Sequence, residues 1–152
     1  MKRGQQKTIP AFSGKRQYLH VIGAYNWQND QVETLLVERK NSDSFIVFLE
    51  HLLLTTYKDQ PVVLVMDNAS YHHSAHVRAF LSLLEHRVHV IWLPPYCPEL
   101  NMIERFWKHL KSWVCANRLY PGLEHLQRAV MRALQEQNDL MSSDRMRFHK
   151  FF

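Results

Sequence analysis

Five consecutive apolar residues, Val62 to Met66, follow Pro61 and stop abruptly at Asp67-Asn68. A run with no polar alternation suits a strand covered on both faces, the habit of parallel sheets, and two parallel strands need a crossover of a dozen or more residues between them. The chain has one. From Ser74 to His86, Val77, Phe80, Leu81 and Leu84 recur at helical spacing, and Val88 to Leu93 then reads as a second buried strand. Residues 62–93 therefore read as a β-α-β unit whose first strand ends on a carboxylate.

The flanking sequence extends this into a mixed α/β sheet with helices packed on it. Tyr18 to Tyr25 is β-branched and aromatic, Asn26 to Asp30 has turn chemistry, and Val32 to Val37 resumes with apolar residues, which predicts a hairpin. Ser42 or Asp43 can cap a helix with apolar positions Phe45, Ile46, Phe48, Leu49, Leu52 and Leu53, running to about Tyr57. After a stiff segment, Pro94-Pro95-Tyr96-Cys97-Pro98, a helix starting near Asn101 buries Ile103, Phe106, Trp107, Leu110, Trp113 and Val114; another spans about Leu123 to Gln137. Helical spacing makes the aromatic residues of the Asn101 helix core rather than base-stacking platforms. Residues 1–17, with Gly4, Pro10 and Gly14, read as a basic extended arm, residues 18–138 as the core, and residues 139–152 as a basic, aromatic tail. A chain of 152 residues, 46% hydrophobic, is long enough for one such domain.

Charge narrows the class of partner. Nineteen Lys and Arg stand against 14 Asp and Glu, a net charge of +5, with ten histidines besides, and no carboxylate precedes Asp30. Polyanions are the expected partners. No apolar stretch is long enough to cross a membrane, and the basic, polar start, Met1 to Lys7, has no apolar segment behind it of the kind that directs secretion. Cys97 and Cys115 form neither a C-x-x-C pair nor a disulfide scaffold. The expected setting is the cytoplasm.

In open α/β sheets functional groups gather at the carboxyl ends of buried strands, where Asp67 falls. An aspartate there is costly unless solvated, hydrogen-bonded or bound to a cation, although Asp-Asn after a strand is also ordinary turn chemistry. Glu104 has two readings as well. Asn101 and Glu104 fit a helix capping box, while Glu104, Lys108 and Lys111, at i, i+4 and i+7, align a carboxylate and two ammonium groups along one helical stripe. A zinc site from His72, His73 and His76 with His86 or His89 is a weaker reading, because adjacent histidines diverge and no cysteine pair accompanies them.

Taken together these segments resemble a family. Asp67-Asn68-Ala69-Ser70-Tyr71-His72, followed by Leu93-Pro94-Pro95-Tyr96-Cys97-Pro98-Glu99-Leu100-Asn101-Met102-Ile103-Glu104-Arg105-Phe106-Trp107-Lys108 and Lys111, is similar to the DDE transposases of the mariner-like superfamily, in particular the bacterial insertion-sequence branch. The 36 residues 68–103 between Asp67 and Glu104 also resemble that family's spacing between its second and third acidic residues. Cys97 stands where the family usually has serine, and Met102 where it usually has proline. The resemblance implies a ribonuclease H-like α/β fold and Mg²⁺- or Mn²⁺-dependent cleavage and transfer of DNA strands. It implies Asp67 and Glu104 as catalytic, metal-holding carboxylates, and His72, Arg105, Lys108 and Lys111 on the DNA side. Asn68, Pro94, Pro95, Tyr96, Pro98, Asn101 and Trp107 are then the motif's structural positions. Transposon ends and target DNA are the implied partners, together with a second copy of the chain.

The family's first catalytic aspartate lies on the strand before the hairpin, upstream of what matches Met1, and its helix-turn-helix region lies further upstream still. The expectation is therefore a core lacking its first strand, with an upstream fragment supplying the aspartate; Asp30, Glu33, Glu38 and Asp43 fall in turns, caps or hairpin positions that suit that role poorly. The other reading of the same residues is a non-catalytic DNA-binding or oligomerising remnant, whose binding would depend on salt and not on metal.

Overall fold

A computed structural model describes residues 9–11 and 17–139. The order is β1 (Ile9–Ala11), β2 (Gln17–Asn26), β3 (Gln31–Val37), α1 (Ser42–Glu50), β4 (Val62–Met66), α2 (Ala75–Leu83), β5 (Val88–Trp92), α3 (Met102–Cys115) and α4 (Leu123–Asn138). These elements fall into two compact units, one of residues 1–36 and 102–152, the other of residues 37–101. The tail beyond residue 139 and most of the basic arm lie outside the described residues.

The first unit is a three-stranded sheet, ordered β1-β2-β3, with α3 and α4. β1 pairs antiparallel with the start of β2, Ile9 opposite Leu19. That strand lies within the stretch expected to be an extended arm; a three-residue pairing supported by a neighbouring strand leaves no periodic signal of its own. The β2–β3 turn is built by short side chains: Asn26 accepts from the Gln28 amide, Asn29 accepts from the Gln31 amide, and Asp30 adopts a left-handed backbone, φ 59°. Asp30 is 3% exposed; its carboxylate accepts the Tyr25 hydroxyl, and its carbonyl accepts from Gln137 Nε2 at 2.9 Å. Leu19 and Val21 on β2, Val32 on β3, Phe106, Leu110 and Val114 on α3, and Leu126, Val130, Ala133 and Leu134 on α4 form one buried cluster. The periods are two on the strand and three to four on the helices, as amphipathic elements sharing a core require. Gly23 fits the same logic. A Cβ there would sit 2.7 Å from Cζ2 of Trp107, so the bare backbone of β2 is what lets the indole lie across it.

The second unit contains α1, β4, α2 and β5. β4 and β5 are parallel, in register from Val62 opposite Val88 to Met66 opposite Trp92. Asn41, rather than Ser42 or Asp43, caps α1: its side chain accepts from the Ser44 amide while the Ser44 hydroxyl accepts from the Asn41 amide. The helix continues from His51 to Thr56 as a wider π-helical turn. Arg87 meets its end: the guanidinium donates to the carbonyl of Leu53 within the turn and to those of Tyr57 and Gln60 beyond it. Ser74 caps α2 by accepting from the Val77 amide at 3.2 Å. The parallel pair was expected to be covered on both faces. Instead Val63 and Val65 are 61% and 50% exposed, with Ile91 exposed beside them. An apolar run shows that a strand tolerates cover on both faces; the described residues provide it on one.

Candidate active site

The carboxyl ends of β4 and β5 are joined by hydrogen bonds that continue past the strands. The Leu93 amide donates to the Met66 carbonyl at 2.9 Å, and the Asn68 side-chain amide donates to the Leu93 carbonyl at 2.7 Å. Asp67 therefore sits on a turn tied to the neighbouring strand on both sides of its own position. After it comes a 3₁₀ turn, Ser70–His73, which brings two imidazoles back over the Asp67-Asn68 dipeptide. His73 Nε2 lies 3.1 Å from Asn68 Oδ1, and its ring stacks on Trp92, centroids 4.1 Å apart and planes 20° from parallel.

His72 takes the carboxylate. Its Nδ1 is 2.9 Å from Asp67 Oδ1 and 3.1 Å from the Asp67 carbonyl, and its ring is held between Phe45, at 4.3 Å, and Tyr71, at 4.5 Å. The His72 side chain is 12% exposed and that of Asp67 40%. The Ala69 amide donates to the same Oδ1 at 3.1 Å. Among the described residues nothing hydrogen-bonds to Oδ2. The His72 hydrogen bond holds the Asp67 carboxyl below its ordinary value; burial pulls the other way, while the Ala69 amide and positive charge on His72 and His73 add to the lowering. The group is an anion at neutral pH, with one oxygen fixed and the other presented.

That geometry suits a hard divalent cation, which takes carboxylate oxygens and tolerates a hydrogen bond on the oxygen it does not use. It also bears on the two readings of Asp67. Its Oδ1 does make the Asx-type bond of an ordinary turn, to Ala69, but the turn leaves Oδ2 over. No group of three or more His, Cys, Asp or Glu side chains converges among the described residues. His72 and His73, singled out above for zinc, are committed to Asp67 and Asn68.

The remaining expected site residues are placed as follows. Asn68, Pro94, Pro95, Tyr96, Pro98 and Asn101 share the unit of Asp67. Pro94, Pro95, Tyr96 and Pro98 line an exposed loop, and Asn101, at its end, is buried. Glu104, Arg105, Trp107, Lys108 and Lys111 belong to α3 in the other unit. Glu104 occupies the first turn of that helix, half-buried, with Lys108 and Lys111 exposed further along, while Phe106, Leu110 and Val114 face the core. The pairing of Asn68 with Leu93 and the His73–Trp92 stack were missed by sequence reasoning. They follow from the strand register that sets Met66 opposite Trp92, which the two apolar runs do not specify.

A sequence profile described as DDE superfamily endonuclease matches residues 1–127. The chain belongs to that family. Over 133 residues it is 26% identical to the "Insertion element IS630 uncharacterized 39 kDa protein" of Shigella sonnei; the match takes in 88% of this chain and 38% of that protein. The chain thus spans well under half the length of this curated relative. A chain of the simian T-cell lymphotropic virus intasome, solved by cryo-EM in complex with the PP2A regulatory subunit B56 gamma, superposes with a TM-score of 0.65 at 18% identity, over 93% of this chain and 50% of its own. The fold is ribonuclease H-like, as the DDE motif leads one to expect. No helix among the described residues is long and apolar enough to cross a membrane.

Proposed function

We propose that this DDE-family chain is the catalytic core of a DNA transposase, and that Asp67 and Glu104 are two of its metal-holding carboxylates. The observation that carries the reading is Asp67 itself. It is an anion at the carboxyl end of a parallel strand, clamped at Oδ1 and open at Oδ2, in a chain whose profile is that of DDE endonucleases. Mg²⁺ or Mn²⁺ bound by such carboxylates would supply Lewis acidity toward a phosphodiester and its attacking hydroxyl. Asp67 and Glu104 contribute negative charge and orientation; His72 fixes which oxygen of Asp67 is available. Lys108, Lys111 and Arg105 on α3 serve as cationic contacts for the phosphate backbone of transposon ends and target.

The third carboxylate of the reading comes from a segment outside these 152 residues. Asp30 is buried and engaged by Tyr25, Asp43 lies in the first turn of α1, and Glu33 and Glu38 lie on or just after β3. None ends a strand. On this reading the polypeptide alone cuts DNA feebly or not at all, since loss of one electrostatic stabiliser costs about 10²–10³-fold in rate or more.

The test is a cleavage assay on a labelled duplex carrying the ends of the element that encodes the chain. Supplying an upstream segment with a strand-terminal aspartate should bring Mg²⁺-dependent cleavage, and Asp67→Asn or Glu104→Gln should abolish it with the fold intact. Cleavage that ignores both substitutions, or none with folded protein and matched ends, overturns the proposal. Salt-sensitive binding without metal-dependent cutting would leave a DNA-binding remnant.

A further inference from the structure

Tyr96 is the most exposed large hydrophobic residue described, at 88%, and its backbone is left-handed, φ 63°. An aromatic residue is a poor choice for that conformation, which glycine or asparagine takes with less strain. Burial does not account for it, and its hydroxyl makes no hydrogen bond among the described residues. Strain at an exposed side chain that nothing inside the molecule uses points outward, to something the side chain meets.

The loop's construction says where. Its stem is fixed to the Asp67 turn by the two hydrogen bonds of Leu93 and by the His73–Trp92 stack. Pro94 and Pro95 stiffen the way out. On the far side the chain closes into a 3₁₀ turn, Pro98–Leu100, with Leu100 and Asn101 amides donating to Cys97 and Pro98 carbonyls, and Asn101 buried. Tyr96 is thus the most exposed side chain of a loop braced at both ends and anchored beside the carboxylate. Leu100, 53% exposed, is the other large apolar side chain the loop presents, and two such side chains fall short of the broad apolar patch a flat protein partner would need. A phosphate would meet no cation on this loop, only the exposed carboxylate of Glu99. A nucleobase fits: its π-face accepts an aromatic ring whatever its sequence.

We propose that Tyr96 is a DNA-contacting residue that stacks on a nucleobase of the strand presented to Asp67. This rests on the transposase reading and deepens it. The role is substrate contact: the ring holds an unpaired or opened base so that the adjoining phosphodiester faces Asp67.

The experiment uses end duplexes with 2-aminopurine at successive positions near the expected cut, without divalent metal, read by fluorescence and by anisotropy. Wild type should change the emission at one position. Tyr96→Asn, whose side chain suits the left-handed backbone, should melt at or above the wild-type temperature, lose that signal and bind about five- to a hundredfold more weakly. Tyr96→Trp should keep the signal. If Tyr96→Asn binds and reports like wild type, or if it loses binding only together with thermal stability, the inference fails while the transposase reading stands. If wild type binds no duplex, both fail.

Discussion

His109 shows what an unused histidine costs. Its Nε2 is buried without a hydrogen-bond partner among the described residues, and its ring leans on Trp113 at 5.6 Å. Burial pushes the imidazole below its ordinary pKa, so the unfolded chain holds the proton more readily than the folded one. Stability is therefore intact above the ordinary histidine value and falls as pH drops through it toward the lower folded value. His109→Leu removes both the orphaned nitrogen and the proton linkage. It should raise stability by about 1 kcal/mol near neutrality and flatten the dependence below pH of about 6.5, as read by urea unfolding at several pH values. A variant with the wild-type slope would mean that another group carries the linkage. Asp67 has the same overall sign by the opposite route: its carboxyl is depressed, so its contribution is present above the ordinary carboxylate value and is lost as pH falls through the lowered one.

At the scale of elements, the open side of β3 is closed by a side chain acting as a strand. Asn138, at the end of α4, accepts from the Val32 amide at 2.7 Å and donates to the Val32 carbonyl at 2.9 Å, the pair of bonds a neighbouring strand residue would make. Unpaired edges invite association with other chains, and a carboxamide satisfying both groups blocks that position. Asn138→Ala should cost about 1–3 kcal/mol in chemical denaturation and increase concentration-dependent light scattering; unchanged stability would show that water replaces the amide. Asn138 was invisible in the sequence because its partner lies 106 positions away. What was legible was periodic. The apolar runs of β4 and β5 and the three-to-four spacing of α3 and α4 located those elements to within a residue or two. The π-helical turn after α1 is met at Leu53 by Arg87, and β1 is paired by β2, partners distant in sequence, so neither shows in its own residues.

For the molecule as a whole, the end of the apolar run and the proline segment located the Asp67 turn and the Pro94–Asn101 loop, because both interrupt regular structure abruptly. They did not show His72 turned toward Asp67, since that contact depends on a 3₁₀ turn and on Phe45 and Tyr71 gripping the ring. Charge works over longer distances. A net +5 chain with Lys108 and Lys111 exposed along α3 should release counterions on binding DNA, and log K should fall linearly with log salt, by about 0.9 per phosphate contacted. If those lysines are phosphate contacts, Lys108→Ala and Lys111→Ala each make the slope shallower by about one, and together by about two, for matched and unrelated duplexes alike. Arg128→Ala, on α4 and paired to Glu124 at 3.9 Å, is the comparison that should leave the slope in place. Anisotropy titrations over a few salt concentrations, without divalent metal, measure this. An unchanged slope in the double lysine variant, with Arg128→Ala shifting it instead, would move the DNA from the Glu104 stripe of α3 to α4, and the assignment of Glu104 would move with it.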